Sequence, residues 1–250
     1  MIDLKGRRAL VTGGSRGIGA ATALLLAHAG ADVVIGYRSR AADANALVNQ
    51  LRALGVTAAA HASDISTRAG AESLVSAAVS ALGGLDLFVA NAGIWQPEEV
   101  GIADMTDEQW SRTMHENVDS VFFTTRAVAR MITDGGRIVL VSSTAGQRGE
   151  SFHADYGASK GAIISFTKSL AVELARRDVT VNSVAPGWVE TEMINEPMKD
   201  GRARITSTIP LGRIASADDI AGPILFLCSS LARHVTGEIL NVNGGSVLCG

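Results

Sequence analysis

The chain has 250 residues, of which 47% are hydrophobic and 19% charged, and a formal net charge of −3. That balance suits a globular protein with ample core and gives no electrostatic reason to bind nucleic acid. No signal peptide follows the N-terminal charges, and no stretch approaches the ~20 apolar residues that cross a bilayer.

Cys228 and Cys249 are too few for a disulfide framework, which points to a reducing, cytoplasmic setting. His28, His61, His115, His153 and His234 share no ligand spacing, so no metal is expected.

In chain order, short β-rich runs alternate with longer helical periods. Strands are predicted at 9–11, 33–35, 87–89, 138–141, 179–184 and 239–242. Helices are predicted at about 17–30, 41–54, 67–82, 107–132, 155–177 and 217–229. Such alternation indicates right-handed βαβ units, hence an α/β fold with a parallel sheet covered on both faces. No linker, charge block or repeat divides the chain, so 1–250 is read as one domain. The least regular stretch, 190–213, holds Pro197 and Pro210 and follows a strand end. Ligands of open α/β sheets sit beyond such ends, so this stretch is expected to be a substrate lid.

The first strand runs into Thr12-Gly13-Gly14-Ser15-Arg16-Gly17-Ile18-Gly19 and then into an Ala/Leu-rich helix. Glycines here let the backbone turn sharply and admit a pyrophosphate, which the helix N-terminus attracts. After the second strand, Gly36-Tyr37-Arg38-Ser39 lacks the carboxylate that an NAD site places on the adenosine ribose. Arg38, together with Arg16 in the glycine loop, can instead pair with a 2′-phosphate, which favours NADP(H).

Tyr156 and Lys160 are four apart on a predicted helix, about 40° apart in rotation and roughly 6 Å in height, so both leave one face. A phenol beside a fixed ammonium is expected to ionise below its usual value of about 10, and so to exchange protons near neutrality. Ser142 and Ser143 both stand at the end of a strand, thirteen residues or so upstream. Trp95 and Trp188 flank the predicted cleft as substrate wall or core filler, and His153 is read as a solvent-facing loop residue.

With these motifs in this order, the chain resembles the short-chain dehydrogenase/reductase family over essentially its full length. Thr12 to Gly19 matches the family's T-G-x-x-x-G-x-G, and Asp64, followed by Ile65, matches the aspartate placed beside the adenine. Asn91-Ala92-Gly93 matches the N-A-G that closes strand four. Asn117, Ser143, Tyr156 and Lys160 fall on the catalytic tetrad, with Ser143 selected over Ser142 by the family spacing. Pro186-Gly187, with Val189 and Thr191, matches the segment that holds the nicotinamide.

The resemblance implies a Rossmann-like, doubly wound sheet of seven strands in the order 3-2-1-4-5-6-7. It implies an NADP(H) site built from the residues just named together with Tyr37, Arg38 and Ser39. Tyr156 becomes the proton donor, Lys160 its tuner and ribose ligand, Ser143 the group that polarises the carbonyl oxygen, and Asn117 the keeper of a proton-relay water.

Homotetramers or dimers are expected through the helices around 107–132 and 155–177, with the tail from Ile239 to Gly250 in a subunit interface. Pro210-Leu211-Gly212-Arg213 and the ending at Asn241 to Gly245 resemble the 3-oxoacyl-carrier-protein reductase group. The implied activity is NADPH-dependent reduction of a ketone or 3-oxoacyl carbonyl, reversible as a secondary-alcohol dehydrogenase. The substrate is a small carbonyl or alcohol, or an acyl thioester. The alternatives are the carrier-protein reductase itself and a non-catalytic NADP sensor. Against the first, Thr133 to Gly136 carries no basic residue for an acidic carrier, with only Arg130, Arg176 and Arg177 near it.

Overall fold

The computed structural model describes residues 2–248, which form one seven-stranded sheet in the order β3-β2-β1-β4-β5-β6-β7, parallel throughout. The first half runs β1 (Arg8–Thr12), α1 (Gly17–His28), β2 (Asp32–Tyr37), α2 (Ala41–Ala53), β3 (Ala58–Ala62), α3 (Arg68–Leu82) and β4 (Leu85–Ala90). Then follow α4 (Asp107–Met114), a π-helical turn (His115–Asp119), α5 (Ser120–Met131), β5 (Ile132–Val141), α6 (Thr144–Arg148) and α7 (Ala154–Leu174). The chain continues with β6 (Thr180–Pro186), a 3₁₀ turn (Glu192–Ile194), α8 (Asn195–Ser207), α9 (Ala217–Cys228) and β7 (Ile239–Val242).

Alternation along each strand distributes the core to two layers. Val11, Val33, Ile35 and Val89 pack against Leu26 of α1, Leu47 of α2 and Ile224 of α9. Leu10, Val34, Phe88 and Ile138 point the other way, onto Leu74 of α3, Val128 of α5 and Ile163 of α7. Because β1 lies between β2 and β4, the connections diverge at its carboxyl end and open a crevice there.

The structure departs from the sequence reading in four places. β3 was not predicted: Ala58-Ala59-Ala60-His61-Ala62 has neither β-branched residues nor alternation, and is a strand because its backbone pairs with β2 from Val33 to Tyr37. The helix read at 107–132 is two helices around the π turn. β5 starts at Ile132, with a register shift that loops Thr133 to Gly136 out of the ladder. The expected irregular lid is mostly helical: α8 carries Pro197 in its first turn, where a missing N–H is harmless. Ile194, Ile205, Ile209 and Ile214 close a small core beneath it.

Of the tail expected in an interface, Ile239–Val242 is strand β7 beside β6, and the turn after it meets this lid, where Leu211 N donates to Gly244 O at 3.1 Å, while Asn243 Nδ2 donates to Val247 O at 3.0 Å within the tail. Cys249 and Gly250 lie outside the described residues.

At the amino ends of the central strands, Asp86 of β4 ties β1, β4 and β5 together. It accepts from Arg8 Nε at 2.7 Å and Nη2 at 3.0 Å, from Arg8 N at 3.0 Å, and from Thr133 Oγ1 at 2.6 Å. Burial alone would raise its carboxyl pKa, but the bonds from Arg8 and Thr133 outweigh it and hold the group below the ordinary carboxylate value. A depressed pKa contributes stability that is complete above the unfolded value of about 4 and is lost as pH falls through the folded one. Asp86→Ala leaves the Arg8 and Thr133 donors unpaired and is expected to lower stability by about 2–3 kcal/mol. A shift of the urea midpoint measures it, and the wild-type advantage should shrink in acid.

Candidate active site

The crevice at the carboxyl edge is a cleft of about 350 Å³, within the range of small-molecule sites. Its floor is the turn after β1. Gly13 has φ +62°, and a Cβ there would stand 3.0 Å from Ala92 Cα, so only glycine lets the two turns touch. Thr12 Oγ1 accepts from Asn91 N at 3.0 Å and Ala92 N at 3.1 Å, and Asn91 Nδ2 donates to Thr12 O and Gly13 O. Asn91-Ala92-Gly93 is therefore stitched to the glycine loop. Arg16 precedes α1 without a side-chain cap and the first turn has no acid, so the helix N–H groups face the cleft uncompensated.

One end of the cleft is the β2–α2 corner. Tyr37, Arg38 and Ser39 line it opposite Asp64 and Ile65. Ser66 donates to Asp64 through Oγ at 2.6 Å and N at 3.1 Å, bonds that hold its carboxyl below the usual value. Arg38 donates to Glu116 of the π turn, and Arg16 and Arg40 both donate to Glu192. Three guanidiniums, each on a carboxylate, thus gather at this end of the cleft.

The other end holds Ser142, Ser143, Tyr156 and Lys160. The two serines separate by direction. Ser142 Oγ donates to Val184 O at 2.9 Å and accepts from Ser183 Oγ at 2.8 Å, which locks it into the sheet. Ser143 faces Tyr156 across the cleft, close enough to lower the phenol's pKa, and its Oγ accepts from Ala145 N at 3.1 Å. Lys160 is buried, donates to Val141 O at 3.0 Å, and holds its Nζ 5.7 Å from the Tyr156 ring centre.

Asn117 is fully buried by the π turn. Its Oδ1 accepts from Ile94 N at 2.7 Å, and its Nδ2 donates to Ile94 O and to Ser159 Oγ, each at 3.0 Å. A Cβ on Gly93 would lie 3.1 Å from Asn117 Oδ1 and 3.4 Å from Lys160 Nζ, so the glycine lets these groups meet over the N-A-G turn.

The expected depression of the tyrosine pKa is absent. Burial pushes Tyr156 up to about 12, only partly offset by the Ser143 bond, and Glu150 adds to the rise. Burial also pushes Lys160 down to about 8. Sequence spacing predicts the shared face correctly, but the ammonium turns to the Val141 carbonyl rather than to the phenol.

Ser15, Ile18, Gly17, Pro186, Gly187, Val189 and Thr191 all line the cleft, whereas Gly19 and Asn117 stand behind its wall. His153 is buried rather than solvent-facing, and stacks on Trp95 at 5.1 Å; Trp188 meets Trp95 edge-on at 6.0 Å. Beside this aromatic wall, burial raises the Glu150 carboxyl pKa. Arg40, Glu116, Glu150 and Glu192 were not singled out from sequence, although Arg40 and Glu192 adjoin or nearly adjoin residues that were.

A doubly wound parallel sheet with a glycine-rich first turn and a Ser–Tyr–Lys cluster at its switch point defines a class, the Rossmann-like oxidoreductases. A family profile described as enoyl-(acyl carrier protein) reductase matches residues 13–246. The 3-oxoacyl-[acyl-carrier-protein] reductase of Escherichia coli (strain K12) is 40% identical over 246 residues, 98% of each chain. The L-rhamnose 1-dehydrogenase (NAD(P)(+)) of Azotobacter vinelandii is 39% identical over 244 residues, 94% of each. A crystal structure of a short-chain dehydrogenase from Burkholderia cenocepacia J2315, in complex with NADP, has a TM-score of 0.91 at 38% identity and covers 97% of this chain and 98% of its own.

The chain belongs to the short-chain dehydrogenase/reductase family, which supports an oxidoreductase acting on CH–OH or C=O groups.

Proposed function

We propose that this chain is an NADPH-dependent reductase of a ketone or 3-oxoacyl carbonyl, running in reverse as a secondary-alcohol dehydrogenase. The observation that carries it is the convergence of Ser143 and Tyr156 on one end of the cleft, with the serine close enough to temper the phenol's pKa. Two hydroxyls aimed at one point suit a single oxygen on which negative charge develops.

The glycine loop fits a pyrophosphate, the guanidiniums of Arg16, Arg38 and Arg40 fit a 2′-phosphate, and Pro186 to Thr191 would hold the nicotinamide. When bound, the cofactor supplies the hydride. Tyr156 gives the proton from its hydroxyl to the substrate oxygen, and Ser143 donates a hydrogen bond to that oxygen. Lys160 carries positive charge behind the phenol and reaches the ribose side of the cleft. Asn117 holds Ile94 and Ser159, and through them the spacing between the N-A-G turn and α7. Trp95 and Trp188 form the substrate wall.

A tyrosine held near 12 keeps its proton at neutral pH, which suits a donor and disfavours the oxidative direction. The reductive kcat/KM should be level below about 8 and fall as Lys160 loses its charge above it. Oxidation of the alcohol, which needs the phenolate, should keep rising well above that range, towards the phenol's own value near 12. A pH–rate profile in both directions checks this; a reductive rate unchanged well above that pH would contradict the role of Lys160.

The carrier-protein reading has support from the relatives' names, but the free basic surface at the β5 corner is small, with Arg130 and Arg176 exposed and without an ion pair among the described residues. Arg177 is engaged by Asp134 at 2.8 Å and by Ala129 O at 2.7 Å. A free carbonyl compound or simple thioester is therefore the preferred substrate. We also propose self-association through α5 and α7, which leave Phe122 and Val172 exposed. Following nicotinamide absorbance with NADPH against β-ketoacyl thioesters, cyclic ketones, sugars and steroids tests the function. Tight NADPH binding with no turnover of any would favour a sensor.

A further inference from the structure

Three segments distant in sequence meet on the carboxylate of Glu192. Its Oε2 accepts from Arg16 Nη1, in the glycine loop, and from Arg40 Nη2 at 2.8 Å, just before α2. Glu192 opens the 3₁₀ turn that starts the lid. Thr191 beside it packs on the same loop, its Cγ2 3.2 Å from where a Cβ of Gly17 would lie. All these groups line the cleft at its ribose end. The Arg16, Arg40 and Glu192 side chains are 52%, 49% and 49% exposed, so the ion pairs are weak and open to a solvent-borne anion.

We propose that Glu192 is a cofactor-selecting latch, whose carboxylate occupies Arg16 and Arg40 until a ribose 2′-phosphate displaces it and frees the start of the lid. This rests on the reading of the cleft as an NADP site. The two guanidiniums cannot serve carboxylate and phosphate together without bringing like charges side by side. A phosphate near −2, with three acceptor oxygens, outcompetes a single carboxylate for arginine. A nucleotide without that phosphate has nothing to offer Arg16 and Arg40, and leaves the lid fastened. Arg38 stands outside the latch because it is held by Glu116.

The test is calorimetric binding to the full-length chain of adenosine 2′,5′-bisphosphate against 5′-AMP, and of NADPH against NADH. Glu192→Gln should tighten both phosphorylated ligands roughly three- to tenfold, and leave 5′-AMP and NADH within about twofold. Equal tightening of both members of a pair, no change, or weaker binding of the bisphosphate would overturn the latch. Failure of the underlying reading shows separately, in the wild type alone, as equal affinity for 5′-AMP and the bisphosphate.

Trypsin reports the lid through Lys199, Arg202 and Arg204 of α8. Wild-type cleavage there should quicken with adenosine 2′,5′-bisphosphate but not with 5′-AMP, and should be fast in Glu192→Gln without ligand. Cleavage indifferent to both the bisphosphate and the substitution would overturn the coupling to the lid.

Discussion

Arg38→Asp is expected to reverse the cofactor preference, lowering kcat/KM for NADPH by about 10- to 100-fold and raising it for NADH. The loss corresponds to one charge-assisted bond to a phosphate, about 1.5–3 kcal/mol, with repulsion added by the new carboxylate. The gain arises because an acid at the end of β2 can accept from both ribose hydroxyls, the arrangement NAD sites use. In this chain the change has a second consequence. Arg38 now neutralises Glu116, and its removal puts two carboxylates beside Asp64. Glu116 belongs to the π turn that carries Asn117, so melting temperature must be followed alongside kinetics. An unchanged NADPH/NADH ratio in a variant of normal stability would sink the argument that Arg38 reads the 2′-phosphate.

Tyr156→Phe is expected to abolish nearly all turnover while NADPH binds as before. General acid catalysis by a placed side chain is worth about 10²–10⁴ in rate, and among the described residues Ser143 is the hydroxyl that faces Tyr156. Phenylalanine keeps the ring that lines the cleft and removes only the hydroxyl. Ser143→Ala should then lose less than the tyrosine change, because it withdraws one hydrogen bond to the oxygen and leaves the proton in place.

The parts of the fold legible from sequence were those set by burial. The apolar runs of β1, β2, β4 and β6 are hidden on both faces and read as strands without context. β3 was opaque because pairing to β2, not side-chain pattern, makes it a strand. The helix around Asn117 reads as continuous because a π turn changes the backbone bonding without breaking the hydrophobic period.

In the site, glycine and tetrad positions were visible because their chemistry fixes residue type at fixed spacing. Directions were not visible. Nothing in Ser142-Ser143 says which hydroxyl faces Tyr156, and the answer lies in Ser183 and Val184 on the next strand. The tyrosine pKa failed for the same reason, since helical spacing puts Lys160 on the right face but cannot say that its ammonium bonds the end of β5. Glu192 was invisible because its partners lie in segments that only the folded chain brings together.

The most direct measurement is single-turnover nicotinamide absorbance for wild type and Tyr156→Phe, each saturated with NADPH and mixed with a carbonyl compound that the wild type reduces. The expected result is a rapid loss of NADPH in the wild type and a rate at least about a hundredfold lower in the variant, at equal NADPH affinity. Matching traces would show that the proton does not come from Tyr156, and would contradict the assignment of this cleft as a carbonyl-reducing site built on Ser143, Tyr156 and Lys160.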